Sequence, residues 1–173
     1  MLAFFKQETH YVAEINGPDG ALWMQKYWLR SRQEPHPQMN HASENAMDQL
    51  IIDTMKQQCP DVRLIYLFGS RVGNLAREDS DWDIAILCAR PLDQIQRWQL
   101  GETMAQKLHQ DVDLVDLATA STVLRMEILQ HGRVLFDTPP SADEFAMTTI
   151  SMYQHLQSER ADILADFYQR MTP

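Results

Sequence analysis

Long apolar runs are missing from this chain of 173 residues. None approaches the roughly 18 to 20 residues that cross a bilayer, which excludes a membrane-spanning helix. The N-terminal MLAFFKQETHYVAE lacks a basic leader, an extended apolar stretch and a small-residue cleavage site, so export is not expected. Cysteine is scarce. Cys59 and Cys88 are too few for a disulfide framework, and neither Cys-x-x-Cys nor a His/Cys spacing offers a zinc site. The expected location is the reducing cytoplasm. Positive charge is also short: 15 Lys+Arg stand against 24 Asp+Glu, a net charge of −9. That balance argues against coating a nucleic-acid backbone, which needs clustered Lys and Arg.

What is present divides unevenly. Residues 1–38 carry four basic and four acidic side chains, so the whole acidic surplus belongs to residues 39–173. In the first segment THYVAEI and ALWMQKYWLR flank the turn-prone Asn16-Gly17-Pro18-Asp19-Gly20, as in a hairpin, and Pro35-His36-Pro37 breaks the chain. A lone hairpin is marginal. It either packs on the main domain through Trp23, Tyr27 and Trp28, or is a tail, or lies upstream of a true start at Met39 or Met47.

From residue 43 the patterning is regular. A helix to about Gln58 is followed by a strand over Arg63–Phe68, a polar loop and a strand over Trp82–Cys88. Next come a helix over Leu92–His109 with Ile95, Trp98, Leu100, Met104 and Leu108 on a broad apolar face, a strand over Val112–Leu117, and a helix from Ser121 to a stop at Gly132. A short strand over Arg133–Phe136 precedes a long helix from a capping box at Ser141–Glu144 to about Met171, with Phe145, Thr149, Met152 and Leu156 on its stripe. This order predicts an α/β or α+β fold, a small mixed sheet flanked by helices with a long C-terminal helix. One domain, residues 39–173, is expected.

Chemistry concentrates in Gly69-Ser70 and, ten residues later, Asp81-Trp82-Asp83. Asp-x-Asp alone is weak, since this composition yields roughly one by chance and the chain has three. Context strengthens it, because Gly-Ser ends one predicted strand and Asp-x-Asp opens the next. Alternate strand residues share a face, so Asp81 and Asp83 project together and Trp82 to the other side. Two such carboxylates repel unless a cation joins them, and Mg²⁺ is the oxygen-seeking ion that also holds phosphates. Gly69 permits a sharp turn, and Ser70 offers an N–H and a hydroxyl at a helix N-terminus, where anions are favoured. Asp113, among apolar strand neighbours, is costly unless ligated or hydrogen-bonded. Three carboxylates holding two Mg²⁺ ions would support in-line nucleotidyl transfer, with Asp113 helping to deprotonate an acceptor hydroxyl. Arg71 is a secondary candidate for the triphosphate. The bland alternatives are a solvated acidic loop for Asp81 and Asp83, a surface-facing strand residue for Asp113, and edge or cap residues for Asp111 and Asp116. Cys88, ending an apolar strand, reads as a small buried hydrophobe.

Gly69-Ser70-Arg71, Ser80-Asp81-Trp82-Asp83 and Val112-Asp113-Leu114-Val115 resemble the motifs of minimal nucleotidyltransferases of the DNA polymerase β superfamily. More narrowly, the chain from about residue 43 onward is similar to the antitoxins of HEPN/MNT toxin–antitoxin pairs. The resemblance implies a polymerase β-like fold and an antitoxin of a type VII-like pair. It further implies Mg²⁺-dependent AMP transfer from ATP to a tyrosine of a HEPN ribonuclease toxin, in a hetero-oligomer with that toxin. Gly69, Ser70 and Arg71 then bind nucleotide, and Asp81, Asp83 and Asp113 are the catalytic and metal-binding carboxylates. Trp82 departs from the smaller aliphatic residue common between the aspartates. Two rival readings are an antitoxin that acts by binding alone and a nucleotidyltransferase for a small hydroxylated molecule such as an aminoglycoside; no visible substrate domain counts against the second.

Overall fold

The computed structural model describes residues 41–72 and 80–171; the hairpin expected within residues 1–38 lies outside them. Helix α1 (His41–Gln58) leads into strand β1 (Val62–Phe68), which ends in a single 3₁₀ turn over Gly69–Arg71. Strand β2 (Trp82–Cys88), helix α2 (Gln94–Leu108) and strand β3 (Val112–Asp116) form a β-α-β unit. Helix α3 (Thr122–His131), strand β4 (Arg133–Asp137) and helix α4 (Ser141–Met171) complete the order. The strands lie in the order β3-β2-β1-β4. β1 is antiparallel to β2 and β4, whereas β2 and β3 are parallel, as a helical crossover requires. The expected mixed sheet with flanking helices is therefore present.

Both faces of the sheet are covered. On one, Ile65, Leu67, Trp82, Ile84 and Ile86 pack against Ile51 and Met55 of α1 and Leu100, Met104 and Leu108 of α2. On the other, Leu64, Tyr66 and Ala85 pack against Ile128 of α3 and Ala142 and Phe145 of α4. This double burial explains why β1 and β2 are nearly continuous apolar runs rather than alternating ones. Arg133 ties β4 to α1 through a forked pair with Asp48, at 2.6 and 3.0 Å.

Three local expectations are corrected. Ile95 and Trp98 do not join the α2 core face and are 67% and 65% exposed. At about 100° per residue they lie some 140° and 160° around the helix from Leu100. The Ser141 capping box is replaced by Asp137, whose carboxylate accepts from the Ala142 N–H at 3.0 Å, while a true capping box opens α2 between Asp93 and Gln96. Gly132 ends α3 as expected, in an extended conformation, and is needed for space: a Cβ there would sit 2.5 Å from the Ile128 carbonyl oxygen and 3.1 Å from the Tyr66 ring. The apolar stripe of α4 is core through Phe145 and Thr149, but Met152 is 43% exposed.

Candidate active site

The site gathers where β1 ends and β2 begins. Antiparallel register sets Phe68 opposite Asp83, and parallel register sets Asp83 opposite Asp113. Two carboxylates about thirty residues apart in sequence thus become lateral neighbours on the same face. Asp81 precedes β2, and with Asp113 it is exposed, whereas Asp83 is half-buried.

Gly69 makes this packing feasible. Its φ of +69° lies in the left-handed region, and a Cβ would put Asp83 Cγ only 2.7 Å away. Behind it, the Ser70 backbone N–H donates to the Asp83 carboxylate. The glycine anticipated as an approach to ligand thus first permits approach to the Asp83 carboxylate.

Burial raises the Asp83 pKa above the ordinary carboxylate value, and the negative charges of Asp113 and Asp81 raise it further. The Ser70 N–H and the Arg71 charge offset only part of this. Such residual repulsion, from hard oxygen donors alone, is what a Mg²⁺ ion relieves, so the donor set fits that ion. The set is open rather than a tight cage. Among the described residues, the acid, thiol or imidazole trio whose ligand atoms all lie within 4.8 Å is Cys59, Asp61 and Cys88, at the opposite end of the same strands.

The sequence matches the family profile described as "Polymerase beta, Nucleotidyltransferase" over residues 49–141, more than half of the chain. The chain belongs to this family. It is 47% identical over 116 residues to the protein adenylyltransferase MntA of Shewanella oneidensis, covering 67% of this chain and 84% of that relative. With a probable protein adenylyltransferase MntA of Haemophilus influenzae it shares 40% identity over 86 residues, 49% of this chain and 75% of the relative. Among solved structures, a toxin–antitoxin complex with AMP-PNP superposes with a TM-score of 0.64 at 45% identity, covering 70% of this chain and 98% of the other. A complex of tri-AMPylated Shewanella oneidensis HEPN toxin with its MNT antitoxin gives 0.61 at 44% identity, covering 72% and 98%.

In this nucleotidyltransferase the Trp82 departure has a structural use. Its ring is buried with the α1/α2 core, and the Arg71 guanidinium stacks on it at 4.1 Å from the centroid. Arg71 Nε donates to the carbonyls of Ser80 (2.8 Å) and Asp81 (3.1 Å), and Nη2 donates to the Ser80 carbonyl and to Gln110 Oε1 (2.7 Å). The Trp82 indole N–H reaches the same Gln110 oxygen at 2.8 Å. Arg71, the secondary candidate for the triphosphate, also clamps the backbone leading into Asp81. Gln110 is the residue that motif reading missed. Its only signal is indirect: a buried tryptophan needs an acceptor for its N–H.

The remaining acids divide cleanly. Asp116 is buried and accepts from the N–H groups of Leu92 and Ala118, each at 2.9 Å, so it organises loops. Asp111 contributes its carbonyl to the Trp82 N–H at 2.9 Å.

Proposed function

We propose that this protein is a Mg²⁺-dependent protein adenylyltransferase that transfers AMP from ATP to a tyrosine hydroxyl of a HEPN-type toxin and thereby acts as its antitoxin. The observation that carries the reading is the lateral pairing of Asp83 with Asp113, closed by the Gly69–Ser70 turn, in a chain so similar to MntA. Likeness to complexes with AMP-PNP and with an AMPylated toxin supports ATP and a protein acceptor. No helix among the described residues is long and apolar enough to cross a membrane.

Asp81, Asp83 and Asp113 would hold Mg²⁺, which when bound neutralises triphosphate charge. Ser70 offers its hydroxyl to the phosphates. Asp113, at the outer strand, takes the proton of the acceptor hydroxyl as its oxygen bonds to the α-phosphorus and pyrophosphate leaves. Arg71 and Gln110 position the Asp81 segment. Residues 39–173 form the catalytic unit in this reading.

The test uses cells expressing the toxin. Asp81→Asn and Asp83→Asn should still bind toxin yet fail to protect, and no labelled AMP should appear on it. Full protection by either variant would instead identify an antitoxin that acts by binding alone.

A further inference from the structure

A cleft of about 500 Å³ lies between α2 and β3. Its α2 wall includes Trp98, Gly101 and Ala105, at helical spacings of three and four, so a single helix face lines it. Its other wall includes the consecutive residues Val112, Asp113 and Leu114. Consecutive strand residues alternate faces, so a cleft touching all three abuts the edge of the strand rather than a face. β3 is indeed an outer strand.

Among the described residues, that edge is chemically unfinished. The Asp111 carbonyl and the Leu117 N–H both bond to β2, which fixes the odd-numbered residues of β3 toward β2 and the even-numbered ones outward. The Asp116 carbonyl is capped by the N–H groups of Thr119 and Ala120. Val112 and Leu114 point their N–H and C=O groups into the cleft with no backbone partner among the described residues. The opposite wall presents the exposed Trp98 indole and two small residues, beside the polar Gln94, Arg97 and Glu102. At Gly101 a Cβ would meet only Leu114 Cβ, at an ordinary 3.8 Å, so packing does not demand glycine there.

We infer that this slot is the docking groove for the acceptor segment of the toxin. The segment lies extended along β3, hydrogen-bonds to Val112 and Leu114, and rests on Trp98. The inference rests on the adenylyl-transfer reading and deepens it by naming where the protein acceptor sits. Continuity with the site selects this occupant: Asp113 lines the slot at the β3 edge while its side chain shares with Asp83 the sheet face opposite α2, so a strand added along that edge can rest one side chain on Trp98 and present the next to the carboxylate that must receive the acceptor proton. An added strand is the recognition mode that unpaired edge groups favour.

Two measurements test it on the full chain with its toxin. Amide exchange resolved at Val112 and Leu114 should be fast in the free protein and slowed at least tenfold in the complex. Protection already present without toxin, or none gained with it, overturns the proposal. In steady-state transfer, Trp98→Ala and Gly101→Gln should raise KM for the toxin about tenfold with kcat and AMP-PNP affinity little changed, while Met147→Ser on the far helix α4 leaves all three unchanged. An unaltered KM, or a fall confined to kcat, also overturns it. So does a self-associated free protein that Trp98→Ala converts to monomer, since a second copy would then be the occupant. The exchange experiment repeated with Asp83→Asn separates the two ideas: protection by toxin tests docking even where AMP transfer is absent.

Discussion

The paired strands β1 and β2 carry a cluster of potential ligands at each end, and the two differ in kind. At one end Cys59 and Cys88 bring their sulfurs to 2.7 Å, and Cys59 donates to Asp61 at 3.2 Å. At the other, Asp83 meets Asp113 and the Gly69–Ser70 turn. The thiol cluster is the tighter, yet both its cysteines are buried and burial pushes both pKa values up, Cys88 far more than Cys59. Protonated thiols are poor ligands and poor nucleophiles. The carboxylate end is looser and more open, and its charges oppose one another in a way that a cation would relieve. In the proposed reading, then, proximity alone does not mark the chemical site; uncompensated charge at an accessible strand end does.

The strongest way to break this comparison is Asp83→Asn. AMP transfer should fall by at least about 10²-fold, while the melting temperature of the metal-free protein rises by a few degrees because a repelling charge is gone. Gly69→Ala comes next: a left-handed φ costs a non-glycine residue about 1–2 kcal/mol, and the new methyl displaces the Asp83 carboxylate, so thermal melting and transfer should both suffer. Gln110→Ala is smaller. It removes the shared acceptor of Arg71 and Trp82, leaving a buried indole N–H unpaired at about 1–3 kcal/mol, and kcat should drop severalfold with KM for ATP little changed.

The smallest effect is on pH dependence. The Asp83 pKa is raised in the fold, so its protonated form is the one the fold favours. Its contribution to stability is full below the ordinary carboxylate pKa and is lost as pH rises through the raised value. Metal-free protein should thus lose some stability with rising pH across the upper carboxylate range, and Mg²⁺ should flatten that slope. Chemical denaturation at several pH values, with and without Mg²⁺, would show it.

Much of the framework was legible in the sequence. Trp82–Cys88 is observed with the bounds its apolar run indicated, and Ser121 caps α3 through the Leu124 N–H at 3.2 Å. Ile95 and Trp98 were misplaced because spacings of two, three and four can be threaded onto a wide arc; only contact with the sheet shows which side is core. The exchange of roles at Ser141 had a similar cause, since Asp137 reaches the helix from the preceding strand. At the site, residue types and strand faces were legible. The equal register of Asp83 and Asp113, and the Arg71–Trp82–Gln110 clamp, were not. Both depend on how the α2 crossover sets β3 beside β2, and no local pattern encodes that offset.

One side-by-side measurement tests the central claim most directly: single-turnover transfer of labelled AMP from ATP to the toxin by wild type, Cys88→Ser and Asp83→Asn. Transfer by Cys88→Ser within about threefold of wild type, with transfer by Asp83→Asn at least about 10²-fold lower, is the predicted result. Equal transfer by Asp83→Asn, or its loss in a folded Cys88→Ser protein, would contradict the account.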